Sequence, residues 1–283
     1  MPETPQDEAR AAITAAGTLP DAEIDIAGVA LQFARIDTPE ANWRAGAEAL
    51  STLARQAVRA AIGNPDAEAG DLAERANTLG AVLHELAGFD GDSQDYDNLA
   101  NANLLRVLER KRGLPVALGI LWLHAAEAAG WGAHGVDFPG HFLVALTSGR
   151  GQVLIDVFHG GAPLGAPELR QLIKQVEGEK AELRPGLLVA MSKRNVLLRL
   201  QNNIKLRRLR AGDIPAALAC TEDMLRLAPN HALMWREAGL MNQRLDRIGA
   251  ALSCLDRCLE LEPEGPVASR VRLVQEELRQ RLN

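Results

Sequence analysis

At 283 residues, 47% hydrophobic and 24% charged, the chain has a globular composition and room for one large domain or two ordinary ones. Its net charge of −6 is uneven: residues 1–100 carry 18 acidic and 6 basic side chains, whereas KRNVLLRLQNNIKLRRLR (193–210) carries seven Lys or Arg and no acid. No apolar run approaches the roughly 18 residues of a membrane span, and the acidic, polar start MPETPQDEAR is unlike a secretory leader, so a cytoplasmic protein without a membrane partner is expected.

Residues 1–89 read as a helical region. DIAGVALQFARI and GAEALSTLARQAVRAAIG place apolar residues three and four apart, the spacing of amphipathic helices, and Gly63-Asn64-Pro65 stops the second. DLAERANTLGAVLHELAGF predicts a third helix ending at Gly88. The next stretch, DGDSQDYDNLANA (90–102), is acidic and turn-rich. Asp90, Asp92, Asp95 and Asp97 resemble a calcium loop by composition only, since the central Gly and closing Glu are missing; no metal site is expected. A helix over about Asn101–Arg110 follows and stops near Gly113.

A further helix opens with Pro115 in its first turn, where the missing N–H costs nothing. VALGILWLHAA is apolar nearly all round, so this helix should be central and buried. HFLVAL and QVLIDVF, separated by TSGRG, predict a strand–turn–strand. If the turn takes four residues, 147–150, Leu146 opposes Gly151 and His141 opposes Asp156, close enough for the carboxylate to orient the imidazole. A one-residue slip would place the two side chains on opposite faces. A Gly- and Pro-rich turn and another helix close a segment spanning 90–192.

From about 195 the chain repeats with a period of 34 residues. Ala216-Ala217-Leu218 superposes on Ala250-Ala251-Leu252, Cys220 on Cys254, and Pro229 on Pro263, which resembles the tetratricopeptide repeat. Trp235 and Gly239 take that repeat's Trp and Gly positions in the second copy, and Ala217 and Ala251 its small-residue crossing positions. A polar helix caps the array, giving a third region over 193–283. The three cysteines, Cys220, Cys254 and Cys258, all lie here and read as small buried hydrophobes. Their odd number argues against a disulfide framework, and nothing elsewhere completes a metal site with Cys254 and Cys258.

A His followed by an Asp across a hairpin is two thirds of a thiol-enzyme triad, yet the helix start that would carry the nucleophile reads Leu114, Pro115, Val116, Ala117. LERKRGLPVALGILWLHAAEAAGWGAHGVDFPGHFLVAL followed by LIDVFHGG, with GFDGDSQDY before and KRNVLLRLQNNIK after, resembles the bacterial SirB-type family. The resemblance implies an α+β fold: N-terminal helices, a small antiparallel-sheet transglutaminase-like (papain-like) core, and tetratricopeptide-type helical repeats. Within that superfamily the order is Cys, His, Asp. The resemblance then puts Pro115 at the nucleophile position and matches His141 and Asp156 to the other two members, so no catalytic residue is assigned. It also makes Tyr96 and Asn103 candidates for lining the cleft, with Pro139 and Gly140 setting the turn that delivers His141.

Three functions follow as expectations. The first is a non-catalytic core that, with the repeats, binds a protein or peptide and needs no cofactor. For the repeats, a concave face drawn from Arg199, Asn202, Asn203, Lys205, Trp235 and Asn242 would suit an acidic segment or a C-terminal carboxylate, although Trp235 reads first as core. The second is a hydrolase or acyl-transfer enzyme using His141 and Asp156 without a Cys nucleophile. The third is a nucleic-acid-associated regulator using the basic 193–210 helix, weakened by an acidic whole and by the lack of interleaved aromatics. The plain alternative for that helix is a solvated face or one docked on the acidic half. The plain alternative for His141 is a strand cap.

Overall fold

The computed structural model describes residues 4–149, 151–184 and 186–281. It divides into two compact units, one of Pro20–Leu200 with the chain up to Ala9, the other of Arg10–Leu19 with the chain from Gln201 onward.

Helix α1 (Pro5–Gly17) contributes to both units. Within the first unit, Glu8 pairs with Arg35; within the second, Arg10 pairs with Asp223 at 3.0 Å. Helices α2 (Ile26–Asp37) and α3 (Trp43–Ile62) begin at Asp25 and Asn42, whose side chains accept backbone N–H groups of their first turns. Such caps satisfy amides that have no partner within the helix. On α3 the buried residues Gly46, Leu50, Leu53, Ala57 and Ala61 fall three or four apart, as the sequence predicts. The short α4 (Pro65–Ala69) and α5 (Leu72–Gly80) follow, and the expected third helix continues as a π-helical turn over Ala81–Leu86.

The stretch 90–113 is held by two short strands, β1 (Asp90–Gly91) and β2 (Arg112–Gly113), paired in parallel, around a 3₁₀ turn (Leu99–Ala102) and α6 (Leu104–Arg110). Helix α7 (Pro115–Ala128) is buried along nearly its whole length, from Val116 to Ala126 apart from His124, as its unbroken apolar composition requires.

The sheet runs β6 (Ala162–Leu164), β5 (Gly151–Asp156), β4 (His141–Ser148), β3 (Gly132–Phe138), β7 (Ala190–Met191), antiparallel throughout. Helix α7 packs on β3 and β4. On the other face Val136, Phe138, Leu143, Ala145 and Leu154 form a cluster with Leu169 and Ile173 of α8 (Ala166–Glu177). Strand β4 is therefore covered on both faces, which explains its continuous rather than alternating apolar run. Each large side chain fully buried there contributes about 1.5–3 kcal/mol.

In the second unit, α9 (Lys193–Arg210), α10 (Ile214–Leu227), α11 (Ala232–Arg244), α12 (Ile248–Leu261) and α13 (Pro266–Gln280) follow one another, and the unit boundary falls inside α9. Ala217 and Ala251 are fully buried. A Cβ on Gly239 would lie 2.8 Å from Leu255, so this helix crossing needs small residues, as the repeat pattern predicts. Trp235, half-buried, packs against the core cluster of this unit and donates to the Pro229 carbonyl at 2.8 Å.

Candidate functional site

The hairpin carrying the expected pair is tighter than the sequence suggests. Ser148 pairs with Gly151 and Leu146 with Val153, leaving two residues in the turn instead of four. Gly149 takes φ 57°, the conformation a two-residue hairpin turn demands. The register therefore moves by two residues, and continuing it puts Leu143, not His141, opposite Asp156. An even shift keeps both side chains on one face, as diagonal neighbours about 7–8 Å apart.

At the other end of β4, Phe138 pairs with His141 across Pro139-Gly140. Gly140 has φ 69°, which with proline before it is the pattern of a type II turn. Arg199, in the second turn of α9, holds this corner. It ion-pairs with Asp137, donates to the His141 carbonyl at 3.1 Å, and lies 5.7 Å from the Phe142 ring centroid. Its place is thus in the first unit beside His141, and not on a repeat face; the basic helix begins in one unit and ends in the other.

Asp156 is committed within its own turn. One carboxylate oxygen accepts the Phe158 N–H at 3.0 Å and the other meets His159 Nδ1 at 2.7 Å. The carboxylate expected to orient His141 orients His159 instead. With Nδ1 engaged, His159 turns Nε2 outward on a side chain that is 71% exposed. Burial lowers the His141 pKa below its ordinary value; the Asp156 charge opposes that shift and His159 adds to it. Two imidazoles and one carboxylate therefore share electrostatic range. In LIDVFHGG, His159 follows Asp156 by three residues, and this Asp-x-x-His spacing at a turn is the signal in the sequence for the pair.

Phe158 ties this corner to the start of α7. A Cβ on Gly91 would lie 2.5 Å from both the Phe158 ring and its carbonyl oxygen, and the Gly91 N–H donates to that carbonyl at 3.1 Å. Gly91 pairs with Gly113, two residues before Pro115, and the Leu114 N–H donates to the Asn101 carbonyl at 2.8 Å. Tyr96 stands edge-on to Phe158 at 5.9 Å, and His159 to Phe158 at 5.1 Å. The 92–101 loop is fastened by Asp92 and Asn101, both bonded to Arg110. Burial works to raise the Asp92 carboxyl, but the Asp95 amide, Asn101 and Arg110 overcome it and leave it below its ordinary value.

The assembled site thus contains Tyr96, His141, Asp156, Phe158, His159 and Arg199, beside a helix whose first position is Pro115. That position offers neither a nucleophile nor an N–H. The chain's three cysteines are in the repeats, and burial raises the pKa of Cys254 and Cys258.

Other candidates are corrected by their contacts. Asn103 is buried; it caps α6 and donates to the Ala34 carbonyl at 3.2 Å, so it ties helices together and does not line a cleft. Lys205, 5% exposed, is paired with Glu237, and Asn242 is buried with its amide on the Ala238 carbonyl; neither is presented to an acidic segment. Asn203 accepts from Arg207, and Asn202 is half-buried. Lys193, Arg199 and Lys205 are all ion-paired inside the protein, which removes three of the cations that phosphate binding would use.

Comparison with known proteins agrees with this architecture. A family profile described as transglutaminase-like superfamily matches residues 44–202, more than half of the chain, and a tetratricopeptide repeat profile matches 204–275. A UPF0162 protein of Xylella fastidiosa is 32% identical over 193 residues, covering 67% of this chain and 69% of that protein. A UPF0162 protein of Vibrio cholerae is 28% identical over 192 residues, covering 68% and 71%. The mouse F-box only protein 21 is 28% identical over 136 residues, covering 45% of this chain and 21% of that protein. The SirB-type label stays a resemblance of motifs. No helix among the described residues is long and apolar enough to cross a membrane.

Proposed function

The chain belongs to the transglutaminase-like superfamily, among the UPF0162 proteins, with tetratricopeptide repeats after the core, and we propose that its core recognises a protein or peptide segment without thiol chemistry. One observation carries this reading. The carboxylate that would polarise His141 is taken up by His159 and the Phe158 amide, beside a helix that begins with Pro115. An aromatic corner (Tyr96 and Phe158) edged by two imidazoles and a carboxylate offers stacking surface and hydrogen-bonding groups, the mixture that favours peptide recognition. The repeats, a kind of unit that generally mediates protein interactions, supply a second contact region for the same partner.

A second reading is favoured by one specific feature. An imidazole whose Nδ1 is held by a carboxylate presents a basic Nε2, the arrangement of a general base acting on water or a ligand hydroxyl. In that reading His159 takes the role the sequence reserved for His141.

Quantitative capture from lysate of the source cells, with wild type, His141→Ala and His159→Ala at low and high salt, tests the proposal. A protein partner depleted from both folded variants and retained by wild type at high salt is the expected result. Identical partner sets for all three proteins contradict it. Nucleic acid that is captured only at low salt would instead implicate the basic helix.

A further inference from the structure

A separate cleft of about 510 Å³ opens at the far end of β3 from His141, where the C-terminal end of α7 meets the start of α9. Its apolar wall includes Leu123, Trp131 and Met191, and its charged groups are Asp21, Glu127 and Lys193. The volume is in the range of small-ligand sites, about 300–1,000 Å³.

Charge alone would suggest that Lys193 attracts an anion, but its hydrogen bonds exclude this. Its ammonium has three protons and three acceptors: Glu127 Oε1 at 2.7 Å, the Ile24 carbonyl at 2.9 Å and the Ala22 carbonyl at 3.3 Å. Asp21 is occupied as well, accepting the Lys193 and Arg194 N–H groups at 2.8 and 2.9 Å, where the start of α9 favours negative charge. Glu127 differs. Only Oε1 is engaged, its side chain is 56% exposed, and Oε2 has no partner among the described residues. The three groups sum to −1, and among their carboxylate oxygens Glu127 Oε2 is the one left open.

We propose that this cleft binds a small organic cation, a primary amine on a compact apolar body. The ammonium meets Glu127 Oε2, and the body lies against Leu123, Trp131 and Met191. An anionic ligand of the same shape would instead face the net negative charge of these three groups.

The test titrates the full chain with tryptamine and with indole-3-acetate, which share a ring and differ in charge. The readouts are the Trp131 indole resonance, assigned through Trp131→Phe, and the thermal midpoint. Tryptamine should give a saturable shift and raise the midpoint, and indole-3-acetate should do neither. Glu127→Gln keeps an acceptor for Lys193 while removing the charge, and should weaken tryptamine about tenfold. Ala133→Ile fills the cleft with a β-branched residue suited to β3 and should abolish the shift while the fold is retained. Absence of a saturable shift at millimolar tryptamine overturns the proposal. So does equal binding of indole-3-acetate, or unchanged binding by Glu127→Gln.

Discussion

Replacing Gly91 by alanine should cost this protein far more than one methyl group usually does. The new Cβ would sit 2.5 Å from the Phe158 carbonyl oxygen as well as from its ring. The ring can rotate, but the carbonyl belongs to the turn that Asp156 and His159 lock together. Relief therefore requires the 156–161 turn to move off β1, breaking the Gly91 N–H to Phe158 carbonyl bond of 3.1 Å. Overpacking of this kind costs about 1–3 kcal/mol, and the lost bond adds about 1 kcal/mol, giving about 2–4 kcal/mol together. Urea unfolding followed by circular dichroism measures it, the midpoint falling while the slope stays unchanged. The His159 ring resonances should shift with it, because Phe158 carries that ring. A loss below about 0.5 kcal/mol, the scatter expected of surface substitutions, would refute the claim that Gly91 seats Phe158.

Gly249→Ala, at the start of α12 with open space around its Cα and no positive φ, should stabilise by about 0.4–1 kcal/mol in the same experiment, because it only narrows the unfolded ensemble. Burial lowers the pKa of His134 and His141 from 6.5, so the unfolded chain takes up protons first as the pH falls. Their contribution to stability is full above pH 6.5 and is lost below it. The thermal midpoint of a His134→Gln/His141→Gln double variant should accordingly fall less between pH 7.5 and 5.5 than that of wild type, and an equal fall would contradict the assignment. Pro115→Cys places a thiol at the first position of α7, where the helix end favours thiolate. Iodoacetamide at neutral pH should alkylate it faster than Cys220, Cys254 or Cys258, as read by peptide mass mapping; labelling no faster than those three would mean that the helix start is closed to solvent.

What the sequence disclosed follows from how far each determinant reaches along the chain. Helices α3 and α7 and the repeats were legible because periodicity and composition over ten or more residues decide them. Strand β3, GAHGVDF, was not anticipated; two glycines and two polar residues hide a strand that tertiary packing supplies, with Gly135 set where a Cβ would crowd Phe142 and Val196 at 2.8 Å. The hairpin register turned on whether Gly149 would adopt a positive φ, a choice that strand composition does not reveal. Arg199 reads as part of a basic repeat face because α9 is continuous in sequence, whereas Arg199 belongs to the first unit and its contacts are with Asp137 and His141 of that same unit. The contact of Asp156 with His159 is set by the local turn, three residues apart, and strand pairing alone does not reveal which of two histidines the carboxylate meets.

The most direct test of recognition at this corner is photo-crosslinking with a benzophenone amino acid placed at position 159, compared with the same probe at the exposed Gln152 on β5. The account predicts that the 159 probe forms an adduct with one protein in source-cell lysate, mapped by mass spectrometry to a single segment and competed by unlabelled wild type. Adducts no more frequent or more specific than those from position 152 would contradict it.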